Sequence, residues 1–238
     1  MLIAIPSKGR AGKTKTDRFL GQSTLYVPES EAEDYRRHSK VEVVAVPNSV
    51  KGITATRNWI LENTDQRYVV MVDDDLHRQG YTKLYPEKVK ERPMTEQAWC
   101  FEFARLFAIT EDLGWKIWGV KTEGSPRSVY PYKPLNFRSY ITASCMGLVN
   151  DGEFLFDEQF KVKEDYEIGL RHVEKYGGVL CARYLFWQNT HWHDEGGCKE
   201  YRTQKVEAEA IRLLVEKYPN RIKQITRGGS GYSIELHF

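Results

Sequence analysis

Three consecutive aspartates, Asp73, Asp74 and Asp75, close the apolar run Tyr68 to Val72 in the stretch YVVMVDDDLHRQG. Like charges packed this closely resist simultaneous ionisation, and a hard divalent cation with oxygen ligands is the usual compensation. Strand periodicity carried past Val72 would send Asp73 and Asp75 to one side and Asp74 to the other. The competing reading is an acidic turn that exits into water. The position after a buried-type strand favours the cation.

Three further stretches carry chemistry. VKGITATRN, Val50 to Asn58, couples a glycine turn to a helix start bearing Arg57, a pairing suited to an anionic or ribose-bearing ligand, although a surface arginine would look the same. In KEDYEIGLR, Glu164 and Asp165 open a helix at its positive end, where a carboxylate is stabilised. Such residues are also ordinary caps. In THWHDEGGC, His191 and His193 alternate onto one face of an extended segment, so one imidazole could complete a metal shell.

The surrounding elements must bring these stretches together. Leu2 to Ile5, Thr24 to Val27 and Val41 to Val46 are short apolar strands each stopped at a proline, and ESEAEDYRRHSK and ITATRNWILENT between and after them have helical character. With Tyr68 to Val72 the first 75 residues form βαβαβ units. Such units build a parallel sheet whose ligand sites lie beyond the C-terminal strand ends. Thr95 to Leu113 is an amphipathic helix with Trp99, Phe103, Leu106 and Phe107 on one face. WKIWGVK and ITASCMGLVN are strands, and KEDYEIGLRHVEKYGG is a helix closed by glycine. VLCARYLFWQNTHWH holds one or two strands. SPRSVYPYKPLNF, Ser125 to Phe137, is a proline-rich surface loop, and a last helix spans Tyr201 to Tyr218. The Gly-Gly-Ser-Gly stretch beyond it predicts a mobile tail.

The 238 residues fit one enzyme-sized unit with a substantial core. With 41% hydrophobic and 29% charged residues, no repeat and no apolar run of membrane-spanning length, the chain reads as soluble, without a signal peptide. Four dispersed cysteines lacking a CxxC pair point to reduced thiols in the cytoplasm. A net charge of +2 permits an anionic partner without demanding one.

The order IAIPSKGR, VPNSVKGITATRN, VVMVDDD, KEDYEIGLR, THWH, from Ile3 to His193, resembles that of GT-A fold nucleotide-sugar glycosyltransferases. Within that superfamily the chain is most similar to the TET-associated glycosyltransferases of bacteriophages, which place sugars on hydroxymethylated pyrimidines in DNA. The resemblance implies an α/β, Rossmann-like GT-A fold, a central mostly parallel mixed sheet flanked by helices. It would be a single domain over 1–238, with a nucleotide-sugar-binding half (1–120) and an acceptor-binding half (121–238). It also implies a cytoplasmic location, in the infected host for a phage protein.

By the same resemblance, Pro6, Ser7 and Arg10 meet the nucleobase, and Arg57 approaches the ribose and phosphates. Asp73 lies nearer the ribose, and Asp75 holds Mn²⁺ or Mg²⁺ against the diphosphate of a UDP-sugar. Asp74 stands between donor and metal roles, and either His191 or His193 adds a metal ligand. Asp165 is the general base of an inverting transfer to 5-hydroxymethylcytosine. A positioned base supplies roughly 10²- to 10⁴-fold in rate. Arg127, Lys133 and Arg138 would meet acceptor phosphates, and Tyr130 and Tyr132 would stack on bases or sugars. The alternatives are a glycan, lipid-linked or protein acceptor, a two-metal nucleotidyltransferase, and a binding module without turnover.

Overall fold

The computed structural model describes residues 1–84, 89–122, 133–190, 202–226 and 232–236. Strands β1 (Leu2–Pro6), β2 (Thr24–Pro28), β3 (Glu42–Val46) and β4 (Tyr68–Val72) run parallel in the order β3-β2-β1-β4. They are linked by α1 (Thr16–Phe19), α2 (Ala32–His38) and α3 (Ile53–Glu62). The sheet continues through β9 (Cys145–Val149), β7 (Ile117–Lys121), β10 (Leu180–Asn189), β5 (Leu76–Leu84) and β6 (Val89–Arg92). Strand β8 (Leu135–Asn136) pairs with β10 off this path. Strand β9 is antiparallel to both β4 and β7, while β7 and β10 are parallel. The result is a mixed sheet of mostly parallel strands, as expected.

Alternation along the strands divides the core between the two faces of the sheet. Ile3, Ile5, Val70 and Val72 pack in one cluster with Trp99, Phe103 and Phe107 of α4 (Glu96–Asp112) and Trp118 of β7. Ala4, Val69 and Met71 face the other way, onto Ile60 and Leu61 of α3 and Ile168 and Val173 of α5 (Glu164–Tyr176). In α4, Thr95 accepts a hydrogen bond from the Ala98 N–H as N-cap, and the buried side chains recur at helical spacing. In α5, Gly177 adopts the left-handed conformation (φ 78°) that ends the helix. Gly147 of β9 is required by close approach: a Cβ there would lie 2.1 Å from Trp118 Cε2.

Two details differ from the sequence expectations. Residues 76–84 and 89–92 form the strands β5 and β6, where polar side chains on an edge hairpin hide the apolar alternation. The residues read as a loose tail instead pair: β11 (Ile222–Thr226) runs antiparallel to β12 (Tyr232–Leu236) after α6 (Gln204–Lys217). The Gly-Gly-Ser-Gly stretch lies outside the described residues. Of the one or two strands expected from Val179 to His193, the described residues form a single ten-residue strand, β10 (LCARYLFWQN).

Candidate active site

The C-terminal ends of β1 and β4 are adjacent, and the segments leaving them are stitched together. The Lys15 N–H donates to the Asp74 carbonyl (2.9 Å). The Thr16 hydroxyl donates to the Asp73 carbonyl (2.6 Å) and accepts from the Leu76 N–H (3.1 Å). The loop after β1 is further anchored on Tyr35 of α2, whose hydroxyl lies 2.7 Å from Ser7 Oγ and accepts from the Arg10 N–H (2.9 Å).

The aspartates diverge from this shared backbone. Period-two alternation persists just past β4, so Asp73 emerges on the α3–α5 face and Asp74 on the opposite one. Buried Asp74 accepts from Ser7 Oγ on one carboxylate oxygen and from Arg10 Nη1 on the other. Burial pushes its carboxyl above the usual range, while Arg10 and Ser7 pull it back. Its contacts are therefore those of a residue that holds the loop carrying Pro6, Ser7 and Arg10. Asp75 is also buried, with Oδ2 3.7 Å from the same Arg10 Nη1, so the alternation does not return it to the side of Asp73.

Asp73 belongs to a second cluster. Its Oδ1 accepts from Arg57 Nη2 (3.3 Å) and its Oδ2 from Asn189 Nδ2 (2.9 Å), which ties β4 to α3 and to the end of β10. The other arm of the buried Arg57 guanidinium grips Glu164 at the start of α5. Burial pushes the Glu164 carboxyl up to about 7, against the pull of Arg57 and with a push from Asp165 and Asp73. Arg57 thus bridges a half-buried carboxylate at the strand end and a buried one on the helix.

Asp165, the next residue, faces elsewhere. Its Oδ2 accepts from the Ala143 N–H (3.2 Å) and its Oδ1 from the Tyr166 N–H (2.9 Å). Two backbone donors fix the carboxylate, and each oxygen keeps room for a further donor. The turn that delivers both acids is unusual: Lys163, immediately before α5, has φ 63°, the one non-glycine positive φ among the described residues. That conformation costs an ordinary side chain about 1 kcal/mol. Lys163 Nζ is held 2.9 Å from Glu207 of α6.

Sequence reasoning missed Tyr35, Thr16, Asn189 and the role of Glu164. Only Glu164 carried a signal, as the neighbour of Asp165 at a helix start. Of the expected acceptor residues, Lys133 and Arg138 are exposed on either side of β8. Arg127, Tyr130 and Tyr132, like His191 and His193, lie outside the described residues. Among the described residues no three His, Cys, Asp or Glu side chains converge as a metal cage. The donor set still fits a hard cation, since Mg²⁺ is commonly held by one or two carboxylates with substrate phosphates completing the shell. No described helix is long and apolar enough to cross a membrane.

A sequence model of the family described as TET-Associated Glycosyltransferase matches residues 1–196. Curated proteins returned no match. Among solved structures, S. aureus TarS 1-349 superposes with a TM-score of 0.51 at 13% identity, covering 92% of this chain and 66% of that one. Its complex with UDP-GlcNAc gives 0.56, 13%, 92% and 67%. The mannosyltransferase PcManGT from Pyrobaculum calidifontis, in complex with GDP-Man and Mn²⁺, gives 0.58, 10%, 90% and 64%. These likenesses are of fold, and the fold is GT-A. The chain spans about two thirds of the length of the solved chains it matches, and less than that in two of the three.

Proposed function

Because the chain belongs to the TET-associated glycosyltransferase family, we propose that it transfers a sugar from a nucleotide-sugar donor, a UDP-sugar, to the hydroxyl of a 5-hydroxymethylpyrimidine in DNA. The observation that carries this reading is the pair of neighbouring acids at the start of α5. Glu164 is committed to Arg57, whose other arm meets Asp73, and Asp165 is held by backbone N–H groups.

The donor sits at the C-terminal ends of β1 and β4, with its nucleobase against Pro6, Ser7 and Arg10. Arg57, already fixed by two carboxylates, presents its cation to the diphosphate without having to reorganise, which is where preorganised charge is most effective. Asp75, with a histidine from His191 or His193, would hold Mn²⁺ or Mg²⁺ against the diphosphate, while Asp73 lies nearer the ribose. When bound, such an ion supplies Lewis-acid stabilisation of charge on the departing diphosphate. The TarS complex with UDP-GlcNAc and the PcManGT complex with GDP-Man and Mn²⁺ support a nucleotide sugar and a divalent cation for this fold. Asp165 takes the proton of the acceptor hydroxyl as it attacks the anomeric carbon. Attack opposite the leaving group inverts the configuration.

The test incubates the protein with Mn²⁺, a panel of UDP- and GDP-sugars, and DNA with or without 5-hydroxymethylcytosine, and reads nucleoside mass. A hexose adduct on the modified base alone is the expected result. Donor hydrolysis with no adduct on any modified DNA would refute the acceptor while sparing the transferase.

A further inference from the structure

A small pocket of about 90 Å³ opens along the segment whose Ala143 holds Asp165, and none of the mechanism above uses it. Its wall includes Lys121 at the end of β7, Cys181 and Arg183 of β10, and Ser139, Tyr140 and Thr142 of the segment between β8 and β9. The parallel pairing of β7 with β10 shifts register between Ala182 and Phe186, which is where Arg183 sits. A bulge of this kind re-aims side chains at a strand end. Among the described lining residues there are two cations, four hydroxyls (Thr122, Ser139, Tyr140 and Thr142) and no carboxylate.

Position ties the pocket to the reaction. Ala143, whose N–H holds Asp165 Oδ2, directly follows Thr142 of the pocket wall. The ring of Tyr140, 47% exposed, stacks on Tyr166 at 5.6 Å and 8°. The ring next to the base and a ring of the pocket therefore form one platform. The Cys181 thiol is not a nucleophile here, since burial pushes it up to about 11 even though Arg183, Ser139 and Lys121 pull it down.

We propose that this pocket binds a phosphodiester of a nucleic-acid acceptor, seating the phosphate between Lys121 and Arg183 with the hydroxyls of Ser139 and Thr142 as further donors. The adjoining exposed ring of Tyr140 offers a face to the base or sugar of the same nucleotide. The proposal rests on the DNA-acceptor reading and gives it a location. A volume near 90 Å³ is of the size of a compact tetrahedral oxyanion. An arginine fork beside a lysine and two hydroxyls is a set of donors matched to phosphate oxygens. Exposed Lys133 and Arg138 flank β8, which pairs with Cys181 and Ala182 of the strand that carries Arg183.

The experiment compares wild type with Lys121→Gln and Arg183→Gln on two acceptors, a short single-stranded oligonucleotide carrying 5-hydroxymethylcytosine and the free 5-hydroxymethyl nucleoside. Oligonucleotide binding is read in parallel by fluorescence anisotropy across salt concentrations, and folding by circular dichroism. Each substitution should raise the oligonucleotide KM about tenfold, the loss of one charge-assisted contact. That increase should exceed any change for the nucleoside, which carries no phosphate. The slope of log K against log salt should fall by about 0.7 for each cation removed. Folded variants that transfer sugar to the oligonucleotide with wild-type KM and wild-type salt slope would overturn the pocket and leave the acceptor reading standing. Wild-type protein that binds the oligonucleotide through these two cations yet transfers no sugar would overturn the acceptor reading and support the pocket. Absence of any oligonucleotide binding would overturn both.

Discussion

Replacing Asp165 with asparagine separates the two acids at the start of α5. The carboxylate accepts from Ala143 N–H at 3.2 Å and from Tyr166 N–H at 2.9 Å, one bond on each oxygen. Asparagine has one acceptor oxygen, so one of these bonds must be replaced by an NH₂ group facing an N–H. The longer contact to Ala143 is the cheaper to lose. A hydrogen bond to a charged acceptor contributes roughly 1.5–3 kcal/mol, and for this long, half-buried one the lower figure applies, about 1.5 kcal/mol of stability. The chemical loss is larger: a missing general base costs roughly 10²- to 10⁴-fold in kcat, or about 3–5 kcal/mol of activation energy. Donor affinity should change little, because Arg57, the cation on the proposed donor side, bridges Glu164 and Asp73. The assay measures transfer to a 5-hydroxymethylcytosine oligonucleotide, donor Kd by calorimetry and urea midpoints. Glu164→Gln is the contrasting variant, and its loss should appear in donor Kd, since it releases one arm of Arg57. A kcat for Asp165→Asn within tenfold of wild type would refute the base assignment. A donor-affinity loss as large as the kcat loss would reassign Asp165 to the donor side.

Three further outcomes follow from the same geometry. Asp75→Ala should abolish turnover and the Mn²⁺-dependent part of donor binding while circular dichroism stays native, and a variant with near-wild-type turnover would contradict the cation reading. His172, buried with Nδ1 2.8 Å from the Gly178 carbonyl and Nε2 accepting from the Lys116 N–H, has its pKa lowered by burial to about 4. A base with a depressed folded pKa stabilises the protein above its unfolded value near 6.5 and loses that contribution as pH falls toward 4. Urea stability should therefore drop by about 2 kcal/mol between pH 7.5 and 5 from this residue alone, and a His172→Gln variant should lack that portion of the slope. Glu207→Gln removes the partner that holds Lys163 at φ 63° and should lower kcat several-fold through the α5 turn. Because glycine adopts that φ without strain, adding Lys163→Gly should restore kcat. Failure of the rescue would show that the ion pair acts other than through the backbone.

The parts of the fold visible in the sequence were those fixed by local pattern. The apolar runs before Pro6, Pro28 and Pro47 and the spacing of Trp99, Phe103, Leu106 and Phe107 specify their elements without help from distant residues. Strands β5 and β6 were invisible because LHRQGYTKL and VKER show no apolar alternation of their own and are specified by pairing with β10 and with each other. The site shows the same division. A triplet of aspartates at a strand end, an arginine at a helix start and a pair of acids at another are legible as chemistry. Which acid meets Arg57 is not, since neighbours on a helix differ by about 100° in direction and the left-handed Lys163 sets the phase. Tyr35 and Asn189 lay beyond reach for a different reason. Their roles depend on the order β2-β1-β4 and on the end of β10 reaching Asp73, which are facts of topology.

The family match ends at residue 196, yet the helix that carries Asp165 leans on residues beyond it. Glu167 of α5 is fully buried, and an unpaired carboxylate there would be strongly destabilising. Its charge is met by Arg171 from its own helix and by Lys217 Nζ (2.8 Å) and the Tyr218 hydroxyl (3.0 Å) at the end of α6. Lys217 also reaches Asp157, Arg221 reaches Glu174, and Glu207 holds Lys163. A third apolar cluster joins the same surfaces, with Phe160, Val162 and Leu170 on one side and Ala210, Leu214 and Ile222 on the other. The proposed donor side is built around Arg57 and the strand ends, whereas the helix that carries the proposed base packs against α6. Residues outside the family's common region therefore help to place the proposed catalytic carboxylate.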